Sequence, residues 1–459
     1  MFVVPPINKE TAMQPIELQE QNISIHLPCK PFLLSSQKVR GKDIHLYFTS
    51  TEKLVCPECG TVAGTHAYHS GKKPLRAEAI PPYKRTYWHV AKRKGLCPSC
   101  ELMFTEKVPF QFKTRHVTID LARKICDMMD APNANIRTTA RILGLSEDLV
   151  RRVHKEYLLE VEAIIPEPEE VKAIAVDEFS ILKGHQYASL VLDISNKQPI
   201  FLCKGRTTED FKPFFSLYSK GFYKGLQCVS MDQNHTYATF FKKELPHVDI
   251  VSDRYHMMAN FLKDVMDKVR LKIAKKLRSE GNEEGYRMFK HANYLLFTPR
   301  MKDASQAKTL SEFNGQLQLE RLIEMNAEIS KVSLLYHQLR ALYEIRGEMV
   351  MREEWEKWLC MCEHSGIAEL VKFASKKRKY TEQVIMHAKY PVTSGIIEGC
   401  MNTIKVLKRT AWGFRDFEYF FLRIKYTFLP YALKEKVKDK LFRNCSEYLL
   451  PPIDHQKCG

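Results

Sequence analysis

Four cysteines constrain this chain before anything else does. Cys56-Pro57-Glu58-Cys59-Gly60 and Cys97-Pro98-Ser99-Cys100 are two CxxC knuckles. Each is a tight turn that aims two thiolates at one point, and two knuckles supply the four sulfurs of a tetrahedral structural zinc (Zn2+) site. The stretch between them is longer than the commonest spacing, so an insert must loop out. His66 and His69 are rival ligands inside it, but the cysteine pairs already complete a tetrahedron. A redox role is disfavoured because no βαβ pattern lies nearby. The chain has 13 cysteines, and only these four have patterned spacing. That argues for a reducing compartment and a metal site, not a disulfide framework.

The insert carries a second pattern. Tyr83, Lys84, Arg85, Tyr87, Trp88, His89, Lys92 and Arg93 mix basic and aromatic residues. Such a run suits a β-ribbon lying on a nucleic-acid backbone, with Arg85 as a phosphate contact; the alternative is a solvated hairpin. Upstream, alternation marks strands at residues 23–27 and 43–48. The chain therefore opens with an N-terminal segment, 1–45, and a zinc-ribbon DNA-binding domain, 46–112. Net charge supports that assignment. Lysine and arginine total 71 against 54 acidic residues, a surplus of 17. Neutralising phosphates releases condensed counterions, so such a surplus favours a polyanionic partner. With 459 residues and 44% hydrophobic content, three or four domains with sizeable cores are expected. No run of eighteen apolar residues occurs, so no membrane span is expected, and the first residues lack a secretory pattern. A cytoplasmic, nucleoid-associated protein is the expectation.

Residues 113–165 read as helical. Ile119, Ala122, Ile125 and Met129 fall at helical spacing, and Pro132-Asn133-Ala134-Asn135 breaks it. A short helix, 136–143, is followed by Gly144-Leu145 and by Ser146, a good N-cap. The next helix, 147–157, puts Val150, Val153 and Tyr157 on one side and Arg151, His154 and Lys155 on the other. This is the layout of a helix-turn-helix, whose second helix enters the major groove. Arg137, Arg151, His154 and Lys155 are its candidate DNA contacts; the alternative is a plain three-helix connector.

Pro166-Glu167-Pro168-Glu169-Glu170 reads as a hinge. Beyond it the period becomes that of strands. Residues 171–179, 187–194 and 199–203 form a meander, 207–218 looks helical, 227–231 is a fourth strand, 236–245 is helical, and 249–252 is a fifth strand. Three meandering strands followed by alternating helix and strand is the order of an α/β ribonuclease-H-like domain. Asp177 lies on the first strand and Asp232 ends the fourth, its neighbour in that topology. A third carboxylate comes from 394–409. On a helix, Glu398, Asn402, Lys405 and Arg409 share a narrow face, while Ile397, Met401 and Ile404 pack inward. An acid there can hold a metal, and the cations, with Lys408 beside them, can hold DNA phosphate; a solvated charged face is the alternative. Phosphodiester hydrolysis and strand transfer use two divalent ions about 4 Å apart. Magnesium (Mg2+, or Mn2+) wants hard oxygen ligands and keeps several waters, so three carboxylates suffice.

These stretches resemble the ISL-type (IS-L-three) family of bacterial insertion-sequence transposases. The resemblance runs from the Cys56 knuckle to about Tyr426. It rests on the double CxxC ending in Cys97–Glu106, on Ala175-Val-Asp-Glu178, on Val229-Ser-Met-Asp232 with Ile250–His256, and on Ile397–Lys405 running into Lys408–Arg415. It implies a DDE catalytic domain at 171–430, with a helical insertion at about 257–390 and a tail at 431–459. Asp177, Asp232 and Glu398 match the acidic triad, terminal inverted repeats are the DNA target, and a homodimer on double-stranded DNA is the assembly. The chain departs from the family at Cys400-Met401 and at Trp412, neither a metal ligand. Asp253 is the rival second ligand, since Asp253-Arg254-Tyr255-His256 has the Asp-x-x-His spacing seen in several DDE families. Glu178 points away from Asp177's face by strand alternation, and Asp193 sits on a strand not known to carry a ligand.

Overall fold

The stretch expected as a strand at 43–48 is one, from Asp43 to Ser50, and of 23–27 the described residues, Ser24 and Ile25, are strand. The computed structural model describes residues 16–17, 24–25, 32–68, 73–113, 115–131, 133–182, 186–292, 320–322, 324, 326–392, 394–411 and 414–442. His69 and Trp412 lie outside them. The chain divides into two units: Met1–Ile165 with Leu407–Gly459, and Pro166–Val406.

The first unit begins with β1 (Ile16–Glu17) antiparallel to β2 (Ser24–Ile25). β3 (Phe32–Arg40), β4 (Asp43–Ser50), β5 (Leu54–Val55), β6 (Val62–Tyr68), β7 (Leu75–Ala77), β8 (Arg85–Ala91), β9 (Arg93–Leu96) and β10 (Met103–Thr105) follow. They make two sheets, ordered 3-4-8-7 and 10-9-6-5. The cysteine knuckles are the turns after β5 and after β9. The basic and aromatic run is not a free ribbon. β8 is an inner strand, parallel to β4 and antiparallel to β7. Thr86 and Trp88 face the core. On the other face, Tyr87 stacks on His45 at 5.0 Å and His89 on Tyr47 at 4.4 Å. Lys92 and Arg93 are held by Gln111 and Glu106, at 2.6 Å each. Most of this run thus has partners within the protein, although of its basic and aromatic residues only Trp88 is buried.

Three helices come next: α1 (Ile119–Asp130), α2 (Ile136–Leu143) and α3 (Glu147–Ile164). Thr118, Asn135 and Ser146 cap their N-termini through side-chain oxygens, and Gly144 ends α2 in the left-handed region at φ 62°. The sequence expectation for α3 stops at Tyr157, but the helix continues to Ile164.

The second unit holds a five-stranded sheet. Its strands are β11 (Ala173–Leu182), β12 (Gln186–Asp193), β13 (Gln198–Lys204), β14 (Cys228–Met231) and β15 (Asp249–Ser252), in the order 13-12-11-14-15. β11, β12 and β13 form the antiparallel meander. β11, β14 and β15 run parallel, with α4 (Thr208–Phe211), α5 (Lys220–Gly225) and α6 (His235–Glu244) in the connections. Ile174, Val176, Phe211, Phe214, Val229 and Phe241 build the core on one side of the sheet. After β15 come α7 (Arg254–Phe261), one π-helical segment (Leu262–Met266), α8 (Asp267–Ser279) and α9 (Glu283–His291). Then follow α10 (Ala327–Leu342), α11 (Glu348–Glu363), α12 (Ala368–Lys377) and α13 (Thr381–Lys389). These helices have a core of their own. Trp355 stacks on Trp358 at 5.2 Å, and Phe261 meets Phe373 edge-on at the same distance. Lys389 of α13 returns to the sheet edge and pairs with Asp249 at 2.9 Å.

The second unit ends at Val406, within the helix α14 (Ser394–Thr410), and α15 (Phe417–Thr427) and α16 (Tyr431–Phe442) belong to the first. The expected catalytic segment, 171–430, and separate tail therefore do not coincide with these units. The reason is α3, which buries Val150, Val153, His154, Tyr157, Leu158 and Val161. That stripe is too wide for α1 and α2 alone, and α15 fills it. His154 is 0% exposed, and its Nδ1 meets the Tyr419 hydroxyl at 2.7 Å. The Tyr157 hydroxyl meets that of Tyr426 at 3.1 Å, and Tyr426 donates to Asp130 at 2.8 Å. Lys438 closes the chain of contacts on Asp130 at 2.8 Å. One predicted DNA contact is corrected here: His154 is a core residue. Lys155 pairs with Asp416 and Glu418 at 2.9 and 2.6 Å.

Burial, with Arg423 and Lys438 nearby, holds the His154 imidazole well below its ordinary value. The folded state keeps it neutral, whereas the unfolded chain takes a proton below pH about 6.5. Stability from this residue is therefore present above about pH 6.5 and lost as pH falls, at up to about 1.4 kcal/mol per pH unit. In denaturant titrations, the stability advantage of wild type over His154→Gln should narrow by about 2 kcal/mol between pH 6.5 and 5. A constant difference across that range would refute the assignment.

Candidate active site

The four knuckle sulfurs converge. All lie within 4.8 Å of one another. Cys56–Cys100, Cys59–Cys97 and Cys59–Cys100 are 3.6, 3.4 and 3.7 Å apart. A tetrahedral site with Zn–S bonds of about 2.3 Å has edges of about 3.8 Å, so the spacing suits a metal ion. Equivalent turns make the two knuckles. The Gly60 amide donates to the Cys56 carbonyl and the Glu101 amide to that of Cys97, with Gly60 and Glu101 both at positive φ. Hydrogen bonding to Thr61 draws the Cys59 thiol down to about 6. His66 is exposed on β6 and is not part of the cluster.

The second site follows from strand register. β11 pairs with β14 so that Val176 faces Met231, and β14 pairs with β15 so that Met231 faces Ser252. The next residue on each strand is an aspartate: Asp177, Asp232 and Asp253. Three carboxylates are thus level, Asp232 and Asp253 just past the ends of β14 and β15 and Asp177 midway along β11. His256, on the first turn of α7, reaches two of them. Its Nε2 is 3.9 Å from Asp177 Oδ1, and its Nδ1 is 3.9 Å from Asp232 Oδ2.

The three aspartates differ in environment. Asp253 is 5% exposed and caps α7 by accepting from the Tyr255 amide at 2.6 Å. The Asp232 side chain is 52% exposed, and it accepts from the Gln233 amide at 2.6 Å. Burial, with the charges of Asp253 and Asp232, pushes Asp177 up to about 6, against the pull of the Glu178 amide and His256. Burial likewise raises Asp253. A half-buried group of like charges with only a histidine between them is a ready place for a divalent cation. Glu178 faces away, towards Arg206 at 3.9 Å. Asp193 is buried and spent on the turn after β12, where it accepts from Ser195 and Asn196.

Glu398 is placed differently. It is exposed on α14, in one stripe with Asn402, Lys405 and Arg409, and Ile397, Cys400, Met401 and Ile404 are buried on the other side. Among the described residues its carboxylate is not gathered with Asp177 and Asp232 into one ligand cluster. The helix nevertheless passes close to them. The thiol of Cys400, two residues along, is pushed up to about 12 by burial and by the charge of Asp177. Lys408 is half-buried beside this stripe.

The remaining predicted DNA contacts are on the surface of the first unit. Arg85 pairs with Asp43 at 3.4 Å, Arg137 with Glu147 at 3.2 Å and Arg151 with Asp148 at 2.6 Å. One residue beside the site gave no sequence signal. Lys377 lies in the run Lys376-Lys377-Arg378-Lys379, which reads as solvated, yet it is 7% exposed and donates to Gln233. Burial lowers its ammonium to about 8. Among the described residues no helix is long and apolar enough to cross a membrane.

Comparison with known proteins identifies the family. A family model described as Transposase, of the ISL3 DDE group, matches residues 174–424. The chain is 29% identical to the transposase for insertion sequence element IS1001 of Bordetella parapertussis, over 84% of this chain and 92% of that protein. It is 19% identical to the transposase for insertion sequence element IS1557 of Mycobacterium tuberculosis, over 54% of this chain and 57% of the relative. The family match covers more than half of the chain, including all three level aspartates and Glu398, and the chain belongs to the ISL3 family of insertion-sequence transposases.

Proposed function

We propose that this transposase binds the terminal inverted repeats of its element and cuts and joins DNA at Asp177, Asp232 and Glu398. The level register of Asp177 and Asp232 on adjacent parallel strands carries the reading. The strand order 13-12-11-14-15 supports a ribonuclease-H-like fold with the helices between β15 and α14 as its insertion. Magnesium or manganese ions bound there would supply an activated water or hydroxyl and charge stabilisation for the leaving oxygen. The donor set fits such ions: hard carboxylate oxygens, one of them exposed, with no lysine or arginine paired to Asp177 or Asp232 among the contacts described.

The chain's own residues divide the rest of the work. Asp253 is engaged as the cap of α7 and so holds His256 between the two strand-end carboxylates, which favours Asp232 as the ligand and Asp253 as its support. Asn402, Lys405, Lys408 and Arg409 on α14 serve as contacts for DNA phosphates near Glu398. In the first unit, Arg85, Arg137 and Arg151 serve as contacts for the element end, and Cys56, Cys59, Cys97 and Cys100 hold structural zinc. Two element ends must be joined, so the working form is a homodimer on double-stranded DNA in the bacterial cytoplasm.

Purified protein with its flanking element ends and Mg²⁺ should cleave the ends and transfer strands. Asp177→Ala, Asp232→Ala and Glu398→Ala should each lower the rate by roughly 10³-fold or more, the scale of several kcal/mol of lost charge stabilisation. Full activity in Asp232→Ala with loss in Asp253→Ala would reverse the choice of second ligand. Cleavage without joining would make the protein a nuclease, and end binding without cleavage an inactive regulator. Metal analysis should find about one zinc per chain. The Cys56→Ser/Cys97→Ser variant should lose it, and undiminished zinc would rule the site out.

A further inference from the structure

We propose that Lys377, the last residue of α12, is a positioning residue for the DNA-cleaving reaction that holds the strand-end turn carrying Asp232. The inference rests on the reading of Asp232 as a metal ligand. Lys377 lies in a run of four cations whose other members, Lys376, Arg378 and Lys379, are exposed. Its own side chain turns inward, over the face of Phe373 at 5.2 Å, and its Nζ donates to Gln233 Oε1. That is the one hydrogen-bond acceptor it has among the described residues. A buried ammonium on a single neutral amide is costly, and an apolar residue of similar length would fill the same space without that cost. Packing alone therefore does not account for a lysine here.

The contacts of Gln233 do. Its backbone amide donates to Asp232 Oδ1 at 2.6 Å. Its side-chain Nε2 donates to Ser252 Oγ at 2.9 Å, and Ser252 is fully buried at the end of β15. Gln233 is thus pinned at both ends of its amide, one by the insertion and the other by the neighbouring strand. The Asp232 side chain is more than half exposed and, among the described residues, has no side-chain partner nearer than His256 at 3.9 Å. What fixes its carboxylate is the turn, and what fixes the turn is the Lys377–Gln233–Ser252 chain. The ammonium also feels the charge of Asp232 itself. The helical insertion is on this reading a working part of the catalytic centre.

The test is single-turnover cleavage of element ends by the full-length protein, at saturating DNA and varied Mg²⁺. Lys377→Met should lower the maximal rate by about 10- to 100-fold, the scale of a misplacement of about 1 Å. It should also raise the Mg²⁺ concentration needed for half-maximal rate. DNA affinity should stay within about 2-fold of wild type, and the melting temperature should hold or rise, because a buried charge has been removed. Gln233→Leu should give the same phenotype, the double variant should be no slower than either single one, and Lys377→Arg should recover part of the rate. A Lys377→Met protein that cleaves at the wild-type rate, or whose loss tracks DNA affinity or melting, would overturn the proposal. If Lys377→Met does not fold, Gln233→Leu alone decides by the same criteria. Asp232→Asn separates the two readings. If it is inactive while Lys377→Met is fully active, only the positioning role fails; if it is active, the site assignment itself fails.

Discussion

Parallel pairing of β11, β14 and β15 brings three carboxylates to one level, and the chemistry proposed for the second unit depends on that register. In a parallel ladder a slip of one residue sends every side chain to the opposite face. The apolar residues Ile174, Val176, Val229 and Ile250, on the faces of these strands, forbid such a slip because each is buried. The core therefore sets the geometry of the acids, although no acid takes part in the core. Like charges at the strand ends oppose this arrangement. Burial raises Asp177 and Asp253 first, the neighbouring carboxylates add to it, and His256 relieves only part of it.

Much of this was legible in the sequence. Two CxxC knuckles have almost no other use than to gather four sulfurs, so their convergence could be read from spacing alone. The strands of the second unit announced themselves as short apolar runs, two of them followed at once by an aspartate, Asp232 and Asp253. The motif around Glu398 gave the helix, its inward residues and its exposed stripe. What the sequence withheld was partnership between distant segments. His154 sits where a single helical wheel puts it beside Arg151 and Lys155, and only the arrival of Tyr419, 265 residues later, makes it core. Lys377 was hidden by its neighbours, since four adjacent cations look alike until one is found pointing inward. The basic and aromatic run from Tyr83 hid a partnership of the same kind: Tyr87 and His89 stack on His45 and Tyr47.

The two units solve the problem of burying polar groups differently. Around α3 the hydroxyls of Tyr157 and Tyr426, the carboxylate of Asp130 and the ammonium of Lys438 satisfy one another. Removing any one leaves a desolvated partner behind, at a cost of about 1–3 kcal/mol for a neutral group and more for a charged one. Such a network tolerates few substitutions but fixes one packing arrangement. Near Asp232 the polar groups are sparser and one side stays open to solvent. Stability is concentrated away from the place where ligands must enter.

The return of α15 and α16 to the first unit also has a consequence for synthesis. A chain emerging from the ribosome presents α1, α2 and α3 long before Tyr419, Tyr426 and Lys438 exist. Until then, His154, Tyr157 and Val161 have no cover on one side. The whole of the second unit is translated in the interval. The helices proposed to grip an element end can reach their final packing only in a polypeptide that already carries the residues proposed to cut it. Premature termination would thus yield fragments with an unfinished helical core, rather than competent binders able to occupy the ends without acting on them.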